Sequence, residues 1–237
     1  MKRIFAILSV LVFATNAFAQ EPISDPNLVQ VREAKDFRAI HVGSAFKVYL
    51  TKGNEEKVAV SAASDKDLAH IIVEVKNHIL YVGWDSKAKE RGNKKLKAYI
   101  SCKNLDELFV SGACNVDIQG TLKVEGDLKI DLSGASDLEG KIEIGNKLEV
   151  DLNGASDAKF TGSARKMSID ASGASRFRGF DFTADYCDAT ASGASDIKIT
   201  VNKELNAEAS GASAVGYKGA AVIGELKTSG AGSVSRS

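Results

Sequence analysis

The chain has 237 residues, 44% hydrophobic, 26% charged and 7% aromatic, with 31 basic side chains balancing 31 acidic ones. That is the composition of a folded globular chain, and zero formal charge excludes a strongly basic nucleic-acid binder as the default. No apolar run reaches the roughly 20 residues a membrane-spanning helix needs, although this does not exclude a transmembrane β-barrel.

The N-terminus reads as an address rather than as fold. Lys2 and Arg3 precede the apolar stretch Ile4 to Ala14, and Ala17-Phe18-Ala19 closes it. A charged start, a short apolar run and a small-x-small site predict a secretory signal peptide over residues 1–19, with Gln20 as the mature N-terminus. The expected location is outside the cytoplasm: periplasm, outer-membrane surface or extracellular medium. No Cys follows the apolar run, so no lipid anchor is expected. Residues 20–30, which hold both prolines, read as a flexible leader.

Residues 31–237 then read as a single all-β domain. Its first part, 31–104, is strand-rich without a clear repeat. Val42 to Leu50, Val58 to Ala62, Ile71 to Trp84 with a turn at Asn77-His78, and Leu96 to Cys102 read as strands. Gly43-Ser44-Ala45 faintly echoes the corner motif described below. This part is expected to cap the array that follows, because solenoids need their ends protected. Lys87, Lys89, Arg91, Lys94, Lys95 and Lys97 cluster around Gly92-Asn93; with no interleaved aromatics they read as a solvated loop rather than a site for nucleic acid or an anionic glycan.

From residue 105 the sequence repeats. Glycines 112, 134, 154, 173, 193, 211 and 230 recur at intervals of 22, 20, 19, 20, 18 and 19 residues. Most stand in Ser-Gly-Ala-Ser or a close variant, such as Ser111-Gly112-Ala113-Cys114 and Asn153-Gly154-Ala155-Ser156. Before each glycine the side chains alternate, as in Leu148, Val150 and Leu152 against Glu149 and Asp151. A period of two marks strands with one buried and one wet face. Twenty residues are too few for a helical crossover but suit one coil of a solenoid. The predicted fold is therefore all-β: a right-handed parallel β-helix, or β-solenoid, over residues 105–237, with the strand-rich cap before it. Coils stacked about 4.8 Å apart would give a rod of roughly 30 Å.

The corner motif reads as architecture. Gly112, Gly134, Gly154, Gly173, Gly193 and Gly211 supply positive φ or close backbone approach. Ser136, Ser156, Ser175, Ser195 and Ser213 can bond the local backbone. The intervening alanine reads as a cramped inward position. As the inward residues shrink from Leu152 to Ala171, Ala191 and Ala209, Phe177, Phe180, Phe182, Tyr186 and Tyr217 are expected to supply bulk.

The repeated corners, the Phe37-x-x-Ile40 opening and the signal peptide together resemble the head GIN domain family, exported bacterial proteins described as "putative auto-transporter adhesins". The resemblance covers about residues 30 to 235. It implies a β-helical exported protein facing the periplasm or cell surface, and it carries over no catalytic residue. The chain departs from an auto-transporter layout, since the residues after Ser213 are too few for a translocator barrel.

The residues themselves point away from an enzyme. There is no Gly-x-Ser-x-Gly elbow, and His41, His70 and His78 all precede the repeats. Cys102, Cys114 and Cys187 do not cluster with histidines at zinc spacings, and an odd count is no disulfide scaffold. Cys187 takes a Leu or Met position and reads as a buried hydrophobe; whether Cys102 and Cys114 pair stays open.

Carboxylates are the chemistry that remains. Asp131, Asp151 and Asp170 recur before the corner, and Asp137, Asp157 and Asp196 after it. In-register stacking makes ladders of like charge, each neighbouring pair costing about 0.9 kcal/mol in water before screening. Solvent with Lys129, Lys147, Lys159 and Lys198 would dilute that cost. Ca²⁺ bridging adjacent carboxylates is the alternative, and a polysaccharide-cleaving groove with Arg176 as its cation a third, although Arg176 is expected rather to pair with Asp157 and Asp196. No other cofactor is expected. The functional expectation is a non-enzymatic binder of a glycan or surface protein. A carbohydrate-active enzyme using the Asp ladder, and a structural envelope component that forms homo-oligomers, are the alternatives.

Overall fold

A computed structural model of the chain describes residues 29–88 and 95–237. The expected signal peptide, nearly all of the leader, and Lys89, Arg91, Gly92, Asn93 and Lys94 of the basic cluster lie outside the described residues. The protein is 66% strand and 2% helix, and its strands stack as a β-solenoid of about 6 turns.

The N-terminal elements are β1 (Val29–Arg32), β2 (Ala39–Val42), β3 (Lys47–Lys52), β4 (Lys57–Ser61), helix α1 (Asp65–Ala69), β5 (Ile71–Lys76), β6 (Ile79–Trp84) and β7 (Lys97–Cys102). The repeats supply β8 (Glu107–Val110), β9 (Asn115–Val124), β10 (Leu128–Leu132), β11 (Asp137–Leu152), β12 (Asp157–Ala171), β13 (Arg176–Ala191) and β14 (Asp196–Ala209). β15 (Ala214–Lys218), β16 (Val222–Thr228) and β17 (Ser233–Arg236) complete them.

In the repeats every coil pairs in parallel with the next. β11, β12, β13 and β14 follow one another in register, so that Leu148, Met167, Cys187 and Leu205 form one inward column. Val150, Ile169, Ala189 and Ala207 form a second. Alternation breaks twice in β13. In β13 the buried residues are Phe177 and Gly179, then Phe182 and Ala184, then Cys187, Ala189 and Ala191. In that strand the two slips in alternation, with the glycine corner, mark off three runs, whereas in β11 and β14 the buried positions keep one parity throughout.

At the corner the glycine takes φ between 72° and 87° from Gly112 to Gly211. A Cβ on Gly154 would lie 2.6 Å from the carbonyl oxygen of Gly134 one coil below, so both handedness and stacking require glycine. That turn sends the serine, not the alanine, into the core. Ser136, Ser156, Ser175, Ser195 and Ser213 are buried, and each hydroxyl donates to the carbonyl three residues earlier at 2.8–2.9 Å. Ala135, Ala155 and Ala174 are exposed, which corrects the inward reading of that position.

The phenylalanines divide similarly. Phe177 and Phe182 are fully buried with Phe160, filling the core where the columns narrow to alanine. Phe180 and Tyr186 instead point outward under Lys218 and Lys203, with Nζ 4.2 and 5.5 Å from the ring centroids.

The first part of the chain contributes coils of its own, in an order the sequence does not follow. β2 pairs in parallel with β8 on one side and β6 on the other, and β3 with β9 and β7. The later coil, β6 and β7, is therefore the outer one. β4 runs antiparallel to β7, β1 to β4 and β5 to β6, closing that end. α1, N-capped by Ser64, adds Leu68 to the same core.

The expected strand from Val42 to Leu50 is broken at residues 43–46, because a corner falls there. Register sets Ser44 beside Gly112, and Ser44 carries the positive φ of 82°. The turn at Asn77-His78 is present, both residues having positive φ, as a two-residue hairpin turn requires.

Candidate functional site

The registers align the outward side chains into columns. On the run before the corner, Asp131, Asp151 and Asp170 lie side by side, followed by Thr190 and Glu208 and preceded by Phe109, His41 and Tyr81. The aromatic half was missed in the sequence. Aligning Gly43–Phe46 with the later corners would have placed His41 and Phe109 in the Asp131 column. The His41 ring lies 5.2 Å from Tyr81 and 5.1 Å from Phe109, and its Nε2 is 3.1 Å from Glu107 Oε1.

The carboxylates of this column differ in their surroundings. Partial burial raises the pKa of Asp131 and of Asp170, and the charge of Asp151 between them raises both further. Lys129 meets Asp151 at 3.2 Å and Glu149 at 3.4 Å, and Lys147 meets Glu149 at 2.8 Å. These lysines hold Glu149 below its usual range.

On the run after the corner, Asn115, Asp137, Asp157, Arg176 and Asp196 align. Asp157 is buried, with Oδ1 accepting from Arg178 Nε and an Nη at 2.9 and 2.7 Å, and Oδ2 3.1 Å from Arg176 Nε. Arg178 grips one oxygen of this carboxylate and Arg176 forms an ion pair with the other, so Asp157 reads as a structural anchor. Asp196 pairs with Lys198 at 3.1 Å, and Asp137 is exposed. The two acidic columns thus lie on different runs either side of the corner. Among the described residues no three His, Cys, Asp or Glu side chains converge as a metal-holding group.

Concavity lies elsewhere, on the flank where each coil turns into the run before the corner. A hollow of about 600 Å³ is lined by Arg38, Lys52, Asp106, Lys123, Glu125, Lys129 and Lys147, among others. A second, of about 380 Å³, shares Lys147 and adds Arg165, Lys166, Tyr186, Asp188, Glu204 and Asn206. A third, of about 160 Å³, shares Asp188 and Asn206 and reaches Glu208, Glu225 and Lys227. Shared walls join the three into a trough crossing the coils. The Asp131–Asp151–Asp170 stretch of the acidic column is its neighbour, one outward position beyond Lys129 and Glu149, and the same column enters the third hollow through Thr190 and Glu208. Tyr186, expected inside, is the aromatic on its rim.

The three cysteines are free and buried. Burial pushes the thiol of Cys102 up to about 11 and raises Cys114 and Cys187 as well, which suits packing rather than reactivity. Cys114 takes the corner serine's place, its Sγ donating to the Ser111 carbonyl at 3.3 Å.

No described helix is long and apolar enough to cross a membrane. Known structures share this architecture. A "putative adhesin" from Bacteroides fragilis superposes with a TM-score of 0.80 at 24% identity, covering 89% of this chain and 96% of that one. A "putative adhesin" from Parabacteroides distasonis gives 0.71 at 18% identity over 88% and 96%. A "putative lipid binding protein" from the same species gives 0.63 at 20% identity over 90% and 98%. At these identities the likeness establishes the fold alone. No curated protein matches the chain. The family model "putative auto-transporter adhesin, head GIN domain" matches residues 36–221, most of the chain, and on that match the protein belongs to the head GIN domain family.

Proposed function

We propose that this protein is an exported, non-enzymatic binder of the cell envelope that holds an extended glycan along its coils. The observation that carries this reading is the trough from Arg38 and Lys52 to Glu225 and Lys227, which crosses successive coils instead of forming one deep pocket. Its walls alternate ammonium, guanidinium, carboxylate and amide groups, which can pair with the hydroxyls of a sugar chain, and Tyr186 offers a ring face. The neighbouring Asp131, Asp151 and Asp170 disfavour an acidic polymer, so a neutral or amino-sugar chain fits better. An adhesin-type family and a trough of this length support the same role. Export rests on the signal-peptide pattern of residues 1–19.

A glycan array probed with the mature protein is the test. Retention of neutral or amino-sugar oligosaccharides without chain shortening, weakened by Tyr186→Ala and by Lys147→Ala, is the expected result. Release of shortened products would make the protein a carbohydrate-active enzyme instead. Retention of no glycan would overturn the reading.

A further inference from the structure

The two ends of the solenoid are not alike. At the first end, β4 and β5 cover the outer coil, and Leu68 of α1 joins the core. At the other end, β16 pairs only with β14, and β17 only with β15, among the described strands. The core is open there. Leu226 is 44% exposed, whereas Ala207, its partner one coil in, is 5% exposed. Ile223 and Val234 are likewise only partly buried, while their partners Leu205 and Val215 are buried.

The free edge of β16 has a definite hydrogen-bonding phase. Ser229 N–H donates to the carbonyl of Ala209 at 3.0 Å, and Glu225 N–H to Asn206 Oδ1 at 2.9 Å. Backbone groups of alternate strand residues point to opposite edges, so those of Leu226 and Thr228 face outward, away from β14. This row is a template for another strand.

We infer that the occupant of this edge is a second copy of the chain, joined end to end by antiparallel pairing of β16 with its counterpart about a two-fold axis at Leu226. The strand's own sequence selects this register. Centring on Leu226 sets Leu226 against Leu226, inward on both copies, and Gly224 against Thr228. It also sets Glu225 of each copy against Lys227 of the other, on the outward face. Centring on Glu225 or on Lys227 opposes like charges, and a shift by one residue faces inward side chains with outward ones.

The backbone phase agrees. Leu226 and its copy form the hydrogen-bonded pair, and Glu225 and Lys227 the non-hydrogen-bonded pair, in which side chains approach most closely. The two side chains already meet at 2.9 Å within one strand while both are about 60% exposed, so both are free to reach across. A two-fold contact of this kind closes on itself and yields a dimer, not a filament. The pairing is independent of what the trough holds.

Sedimentation velocity of the purified mature chain across a concentration series tests the inference. Wild type is expected to pass from monomer to dimer and stop there. Glu225→Lys and Lys227→Glu each oppose like charges twice across the axis and should weaken the dimer by roughly tenfold or more. An equimolar mixture of these two variant proteins restores both pairings and should form a heterodimer, and the double variant Glu225→Lys/Lys227→Glu should dimerise with itself. Leu226→Asp should abolish association while leaving the melting curve two-state, since the side chain sits at the open end. A wild-type chain that stays monomeric at all concentrations would overturn the inference. So would an open-ended series of species, a dimer indifferent to the charge variants, or failure of the mixture to recover.

Discussion

The first coils and the repeat coils obey the same stacking geometry with different sequence rules. In the repeats, chain order equals spatial order, each corner glycine from Gly134 onward rests on the glycine below, and each corner serine closes its own turn. In residues 39–102 the second coil passes outside the first. One corner has Ser44 in place of glycine, and the other is replaced by a longer segment between β6 and β7. The difference shows that the parallel coil needs the position, not the motif. Where coils stack on identical neighbours, the backbone clearance admits only glycine. Next to the capping strands, the same conformation is held by surrounding structure at a cost in strain.

The sharpest way to break that comparison is to exchange the corner residues. Gly154→Ala forces a side chain to φ 80° and against the Gly134 carbonyl, and should cost about 3 kcal/mol in urea unfolding. A loss below about 1 kcal/mol would mean that the coils slide apart easily and that glycine is not obligatory there.

Ser44→Gly is the reciprocal change and should have the opposite sign. Relief of the left-handed serine is worth about 1 kcal/mol, reduced by the greater freedom of glycine in the unfolded chain. Unchanged or lowered stability would show that Ser44 is held by interactions worth more than its strain.

The smallest effect concerns the acidic column, which exists only in the repeats. The folded pKa of Asp131 is raised by burial and by Asp151, so the folded state binds its proton more tightly than the unfolded one. Its unfavourable contribution is absent at pH below the ordinary carboxylate value. It grows as pH rises toward the raised folded value and persists above it. Asp131→Asn should therefore stabilise the protein at pH 7, by about 0.5 kcal/mol or less, and leave it unchanged near pH 3. A destabilising effect at pH 7 would identify a partner for the Asp131 carboxylate that the repulsion argument omits.

The periodicity of two and the spacing of the glycines determined the parallel coils of residues 105–237, because each coil writes its inward and outward positions directly into the chain. The columns Asp131–Asp151–Asp170 and Asp137–Asp157–Arg176–Asp196 follow from that spacing alone. The direction of the corner serine did not, since positive φ at glycine changes which of the next two residues turns inward. Nor did the anchoring of Asp157, which needs Arg178 from an adjacent column as well as the expected Arg176.

Only the tertiary structure decided that β6 and β7 stack outside β2 and β3, because parallel pairing between distant segments leaves no local periodicity to count. It alone joined three shallow hollows into a trough beside the acidic column and placed Tyr186 on the rim. The position of a side chain on a bend depends on where alternation slips, and that is fixed by the coils above and below it.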